Sequence, residues 1–218
     1  MKPLRSAIEQ PLQYYRQWDF LIFTVLTLLS VVNGQSTVFY LLYFFWWNEL
    51  SRLVMDRLCY KRNKNAVYEF TRNSSFFESL FLMGIYWVFL VVIFGFIAAS
   101  DSPDAVIIAN MQVLLFHNWF FNINLLFVLL QRWYLHRTQQ PLQVYFDAFN
   151  PNTIVLHVSI IVGAVLMFFV VRNYPEIFTP QNRWGSALII LPFLLLRGLM
   201  QKLTASDNVI QKQNNNKY

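Results

Sequence analysis

The sequence predicts an all-α, polytopic transmembrane helical bundle of about six spans, with both termini in the cytoplasm. Hydrophobic residues make up 56% of the chain and charged residues only 13%, whereas a soluble domain is about one quarter charged. The apolar residues form runs that are long enough to cross a bilayer. The lysines and arginines collect between alternate runs, which is the pattern of cytoplasmic loops in membrane proteins.

We expect spans at about 18–34, 36–55, 76–99, 105–131, 153–171 and 184–203. They divide the chain into a cytoplasmic interfacial segment (1–17), a transmembrane domain (18–203) and a disordered asparagine-rich tail (204–218). Of the 17 lysines and arginines, 13 fall on the side of the termini when Lys202 at the end of the last span is included, Arg52 and Arg197 lie within spans, and only Arg172 and Arg183 fall on the opposite side. An even number of spans agrees with this orientation. Cys59 is the only cysteine, so no disulfide within the chain is expected.

The formal net charge of +6 is explained by this topology and by attraction to anionic lipid. We therefore expect no direct nucleic-acid binding. The loop after the second span is the most basic stretch, and we interpret it as a topology anchor or a docking surface for lipid or a protein partner. Its basic residues are Arg57, Lys61, Arg62, Lys64 and Arg72. The expected partners are the lipid bilayer, a second copy of the chain, or a membrane or cytoplasmic protein.

The second span carries ionisable residues before its apolar character has ended. Glu49 and Arg52 are three residues apart, and Arg52 and Asp56 are four apart, so the three share one face of a helix. Ionisable groups at membrane depth are costly unless they are paired or face the bundle interior. We therefore expect Glu49 to contact Arg52 or Arg197 rather than lipid.

The fourth span is expected to be one helix with a polar stripe. Its polar side chains recur every seven residues, at Asn110, His117, Asn124 and Gln131. Asn118 and Asn122 add a neighbouring pair four residues apart. Such side chains either form hydrogen bonds between helices or line a hydrated cavity. We predict a cavity that is bordered by His117 and Glu49 and opens toward the cytoplasm.

The last two spans add His157 and Arg197, each several residues inside the cytoplasmic boundary. His136 falls in the loop between the fourth and fifth spans, and we expect it to be solvated. The candidate polar cluster is Glu49, Arg52, His117, Asn118, Asn122, His157 and Arg197.

Three short segments carry a family resemblance. YFFWWNEL, IVLHVSIIVGA and PFLLLRGLMQKL together resemble an uncharacterised family of bacterial six-span integral membrane proteins. The resemblance implies a bacterial inner-membrane location, and Glu49, His157 and Arg197 are the positions that match the family's pattern. The function of that family is unknown, so the resemblance implies no reaction.

Three classes of function fit the sequence. The favoured one is an accessory, assembly or membrane-effector protein that oligomerises or binds a partner. The second is a small proton- or ion-coupled transporter or channel, although no internal repeat is evident. The third is an intramembrane enzyme, in which His117, His157 and Glu49 would bind a metal as two imidazoles and a carboxylate. The chain has no HExxH or GxSxG motif, and the sequence indicates no particular cofactor.

Overall fold

The computed structural model describes four long stretches of the chain, residues 37–59, 73–98, 104–138 and 151–174. Shorter stretches and single residues are also described, at 21, 24, 25, 27–29, 100, 176–178, 182, 184, 185, 187–196 and 198. The predicted interfacial segment 1–17, the tail 204–218 and most of the basic loop lie outside the described residues.

Every regular element in the described part of the chain is helical, as predicted. The helices whose bounds are described are α1 (Val38–Cys59), α2 (Asn73–Phe89), α3 (Asp104–Leu114), α4 (Trp119–Thr138), α5 (Pro151–Val165) and α6 (Ala187–Leu196). Helix α2 continues in wider π-helical turns over Leu90–Ile97, and α5 does so over Leu166–Val171.

Three helical segments are long and apolar enough to cross a membrane. They are Phe76–Ile97 (22 residues), Asp104–Arg137 (34 residues, which comprise α3, a turn and nearly all of α4) and Thr153–Val171 (19 residues), against a requirement of about 20 apolar residues. Their outward surfaces are rich in large apolar side chains, such as Phe81, which is 73% exposed, and Phe169, which is 70% exposed. Polar side chains such as Asn110 are buried instead. This distribution is typical of helices that face lipid.

Helix α1 lies at the centre of the bundle. Its nine residues from Val38 to Trp46 are all buried, as expected for a helix that is apolar on every side. It packs against α2, α3, α4 and α5. The approach of α5 is close, because a Cβ atom added to Gly163 would lie 2.7 Å from Leu42 Cδ1.

The prediction of one continuous helix over 105–131 is wrong, because a turn at residues 115–118 separates α3 from α4. Phe116 has a φ of 59°, a left-handed conformation that breaks an α-helix. Asn118 then caps α4, since its Oδ1 accepts a hydrogen bond from Phe121 N at 3.0 Å. Asn122 Nδ2 donates to Phe116 O at 2.7 Å. The side chain of His117 is therefore in a turn, not on a helical stripe.

Candidate functional site: a buried ion network between helices

Glu49 and Arg52 form a buried ion pair on α1. Arg52 donates from Nε to Glu49 Oε2 at 2.9 Å and from Nη2 to Oε1 at 2.5 Å. This two-pronged geometry is the strong form of an arginine–carboxylate pair. Thr153 Oγ1 on α5 also donates to Glu49 Oε1, at 3.2 Å. The predicted contact between Glu49 and Arg52 is thus confirmed, while Arg197 lies outside the described residues.

Asp56 on α1 connects the ion pair to residues of α4. Its side chain is fully buried, and its Oδ2 accepts a hydrogen bond from Arg52 Nη1 at 3.1 Å. Arg132 donates hydrogen bonds to both carboxylate oxygens, from Nε to Oδ1 at 2.5 Å and from Nη2 to Oδ2 at 2.6 Å. The ring atom His136 Nε2 lies 2.8 Å from Oδ1. Arg132 and His136 are four residues apart, so α4 presents both on one face.

The contacts of Asp56 with α4 were not predicted from the sequence. His136 was expected to be solvated, and that prediction is wrong because only 9% of its surface is exposed. The predicted end of the fourth span at residue 131 had assigned Arg132 and His136 to a loop, but α4 continues to Thr138. The sequence did carry a signal for this contact. Arg132 and His136 are four residues apart and directly follow an apolar stretch, so a longer helix would place both on one face.

The ion network is defined as the described residues Glu49, Arg52, Asp56, Arg132 and His136, and the charges of these five nearly balance. Two carboxylates face two guanidinium groups, and the imidazole adds one positive charge only when it is protonated. Burial of an unpaired charge costs several kcal/mol, and direct pairing with additional hydrogen bonds offsets that cost. The network therefore allows ionic groups to remain inside an apolar bundle.

Two amides of the predicted polar stripe also form hydrogen bonds between helices. Asn110 Oδ1 accepts from Thr37 Oγ1 at 2.7 Å, and Asn110 Nδ2 donates to Gly95 O at 3.2 Å. Asn124 Nδ2 donates to Tyr40 Oη at 3.0 Å. These contacts fix α3, α4 and the π-helical end of α2 against the first residues of the central helix. They match the first of the two interpretations of the stripe, hydrogen bonds between helices.

The two histidines of the candidate cluster lie apart from the ion network. The His117 ring is exposed in the turn between α3 and α4. The His157 side chain is exposed on α5, and its Nδ1 lies 3.0 Å from Tyr86 Oη on α2. Among the residues that the structure describes, no three His, Cys, Asp or Glu side chains come together in a way that would hold a metal ion. The set of His117, His157 and Glu49 is therefore not assembled.

Two arginines of the bundle stack over aromatic rings near the ends of their helices. The Arg57 guanidinium lies 5.8 Å from the centre of the Phe76 ring, and that of Arg137 lies 4.4 Å from the Trp133 ring. Cations over aromatic faces are typical of the polar edge of a membrane. The other predicted docking residues, Lys61, Arg62, Lys64 and Arg72, lie outside the described residues.

Fold and site together define a helical bundle with helices of membrane-spanning length and a buried ion network. No protein-family model, curated protein or solved structure matches the chain. The resemblance to a bacterial membrane-protein family thus stays a prediction, and the function has to be argued from the geometry.

Proposed function

We propose that this chain is an accessory, assembly or effector protein of the bacterial inner membrane, and that it acts by oligomerising or by binding a partner protein within the bilayer. In this proposal the bundle has six spans and cytoplasmic termini. The polar interior stabilises the bundle, and the outer helix surfaces and the basic cytoplasmic edge make the functional contacts.

The observation that carries the proposal is the complete engagement of the buried carboxylates by neighbouring side chains. Glu49 is held by Arg52 and Thr153, and Asp56 by Arg52, Arg132 and His136. A transport or catalytic site needs groups that bind or release a substrate or a proton. Groups that are locked to each other across three helices fit a structural role better.

In-membrane photo-crosslinking tests the proposal. A photoreactive amino acid is placed at one exposed position on each of four outer surfaces, Phe81, Leu126, Phe169 and Leu191. We expect an adduct of defined mass from at least one surface, either twice the mass of the chain or that of a complex with one other protein. The matched control is Phe44, which is fully buried in α1 and is expected to give no intermolecular adduct. Absence of adducts from all four surfaces contradicts the proposal.

Proton or ion transport is the second candidate, and one observation favours it. The contact between His136 and Asp56 places an imidazole and a carboxylate side by side inside the bundle, and such pairs serve as proton relays in pumps and transporters. A pH-sensitive dye enclosed in proteoliposomes decides between the two candidates. A structural network predicts the same proton flux as in empty liposomes. Flux that Asp56→Asn abolishes, in a variant that still folds, favours transport.

A further inference from the structure

The turn between α3 and α4 collects buried polar atoms without partners. Four buried side-chain nitrogen or oxygen atoms in the described part of the chain have no hydrogen-bond partner. Three of the four belong to residues in or against this turn, Trp47 Nε1, Asn118 Nδ2 and Asn122 Oδ1. Buried polar side-chain atoms in folded proteins are nearly always hydrogen-bonded to protein or to ordered water. Because the three atoms belong to residues in or against one turn, a single partner at this turn would satisfy all of them.

The three residues are grouped around Phe116. The ring of Trp47 lies 5.4 Å from the Phe116 ring, centre to centre. Asn122 Nδ2 donates to the Phe116 carbonyl at 2.7 Å. Asn118 lies one helical turn before Asn122, whose backbone N donates to Asn118 O at 3.1 Å. The turn therefore places an indole of α1, the residue that caps α4 and an amide of the first turn of α4 next to Phe116.

Each of the two amides has one engaged atom and one atom without a partner. Asn118 uses its Oδ1 to cap α4, which leaves the Nδ2 hydrogens to point elsewhere. Asn122 uses its Nδ2 on Phe116, which leaves Oδ1 as an acceptor. These engaged contacts fix which end of each amide is nitrogen, so an exchange of the two ends does not remove the mismatch.

The three atoms describe the chemistry of their partner. Trp47 Nε1 and Asn118 Nδ2 are donors, and Asn122 Oδ1 is an acceptor, so a single partner for all three would accept two hydrogen bonds and donate one. A hydroxyl group does this, and water is the smallest molecule that carries one. Buried waters typically make about three hydrogen bonds to such groups.

We propose that the turn between α3 and α4 is a hydration site, in which one buried water accepts hydrogen bonds from Trp47 and Asn118 and donates one to Asn122. The water connects the central helix to the turn that separates α3 from α4.

Water-to-protein magnetisation transfer, measured by NMR on the full chain in lipid nanodiscs, tests the proposal. The indole N–H signals are labelled with ¹⁵N and assigned from backbone connectivities. We expect a direct cross-peak between water and the Trp47 Nε1 hydrogen. The matched control is its neighbour Trp46, which is buried and donates from Nε1 to Met83 O at 2.7 Å. The Trp46 hydrogen should give no such cross-peak.

The variant Asn118→Ser separates the water from the helix cap. A serine hydroxyl still caps α4, but the Nδ2 donor is lost, so the Trp47 cross-peak to water should weaken or disappear while the helical signals of α4 remain. An unchanged cross-peak in this variant, or equal water transfer at Trp46 and Trp47 in the wild-type chain, overturns the proposal. Should the variant fail to fold, the wild-type comparison decides alone.

Discussion

At the scale of single residues, Asp56 has the most consequential position in the ion network. Arg52 approaches it from its own helix, and Arg132 and His136 approach it from α4. Removal of one partner from a buried ion pair is far more costly than removal of the whole pair, since the remaining charge is left buried and unpaired. The carboxylate of Asp56 is the shared partner of two guanidinium groups, so its loss affects both.

The variant Asp56→Asn is therefore expected to lose about 3–5 kcal/mol of unfolding free energy, the usual cost of breaking a buried ion pair. Reversible unfolding in mixed detergent micelles, followed by circular dichroism, measures the change. The matched control is Glu78→Gln, which neutralises an exposed carboxylate on α2 and should change the stability by less than about 0.5 kcal/mol. Equal stability of the two variants would contradict the expectation that the ion pairs of Asp56 stabilise the fold.

Asn118 is the second residue for which the structure predicts a specific loss of stability on substitution. Its side chain caps α4, and loss of such a cap costs about 1 kcal/mol when the replacement is alanine. The variant Asn118→Ala should thus be less stable than Asn118→Ser by about that amount, as serine retains a capping oxygen. The same unfolding assay measures the difference. Identical unfolding curves for the two variants mean that the cap contributes nothing to stability.

At the scale of helices, the central position of α1 depends on how closely α5 approaches it. Gly163 has no side chain where Leu42 fills the space, so the two helices meet through a glycine and a leucine. Leu42 is fully buried, which limits how far it can move aside. Contact through small residues is a common way for helices to associate in a bilayer, where apolar burial alone does not hold helices together.

Gly163→Ala should destabilise the protein, because the new methyl group would lie 2.7 Å from Leu42 Cδ1. Overpacking of this kind typically costs about 1–3 kcal/mol. The matched variant is Gly84→Ala, at a helical position where an added Cβ meets nothing within 4 Å. That second change should leave stability equal or raise it by up to about 1 kcal/mol, because alanine favours a helix over glycine. An equal loss of stability in both variants would contradict the expectation that close contact with Leu42 determines the cost of Gly163→Ala.

The sequence predicted two features of the helices well. Long apolar runs predicted helices of spanning length, and the spacing of Glu49 and Arg52 predicted their contact, since both signals are local. The contacts of Asp56 with Arg132 and His136 join residues 76 and 80 positions apart, and no local pattern reports such a pair. The turn at Phe116 was hidden for another reason. Asn118, which caps α4, stands four residues before Asn122, and this spacing is also that of two residues on one face of a continuous helix.

At the scale of the whole molecule, the orientation in the membrane remains a prediction from charge. The side with 13 lysines and arginines should be cytoplasmic. Reporter fusions after Asn33, Ser102 and Pro180 should therefore report an external location. A fusion after Asn65, within the basic loop, is the matched control and should report the cytoplasm. A cytoplasmic signal from any of the first three contradicts the six-span topology.

The central position of α1 has a consequence for the order of synthesis. The helix that becomes most enclosed leaves the ribosome before α4, and 76 residues separate Asp56 from Arg132. At about 5–20 residues per second, the aspartate waits roughly 4–15 s for that arginine, with only Arg52 of its own helix at hand. A nascent chain that stops inside this interval exposes an incompletely neutralised carboxylate.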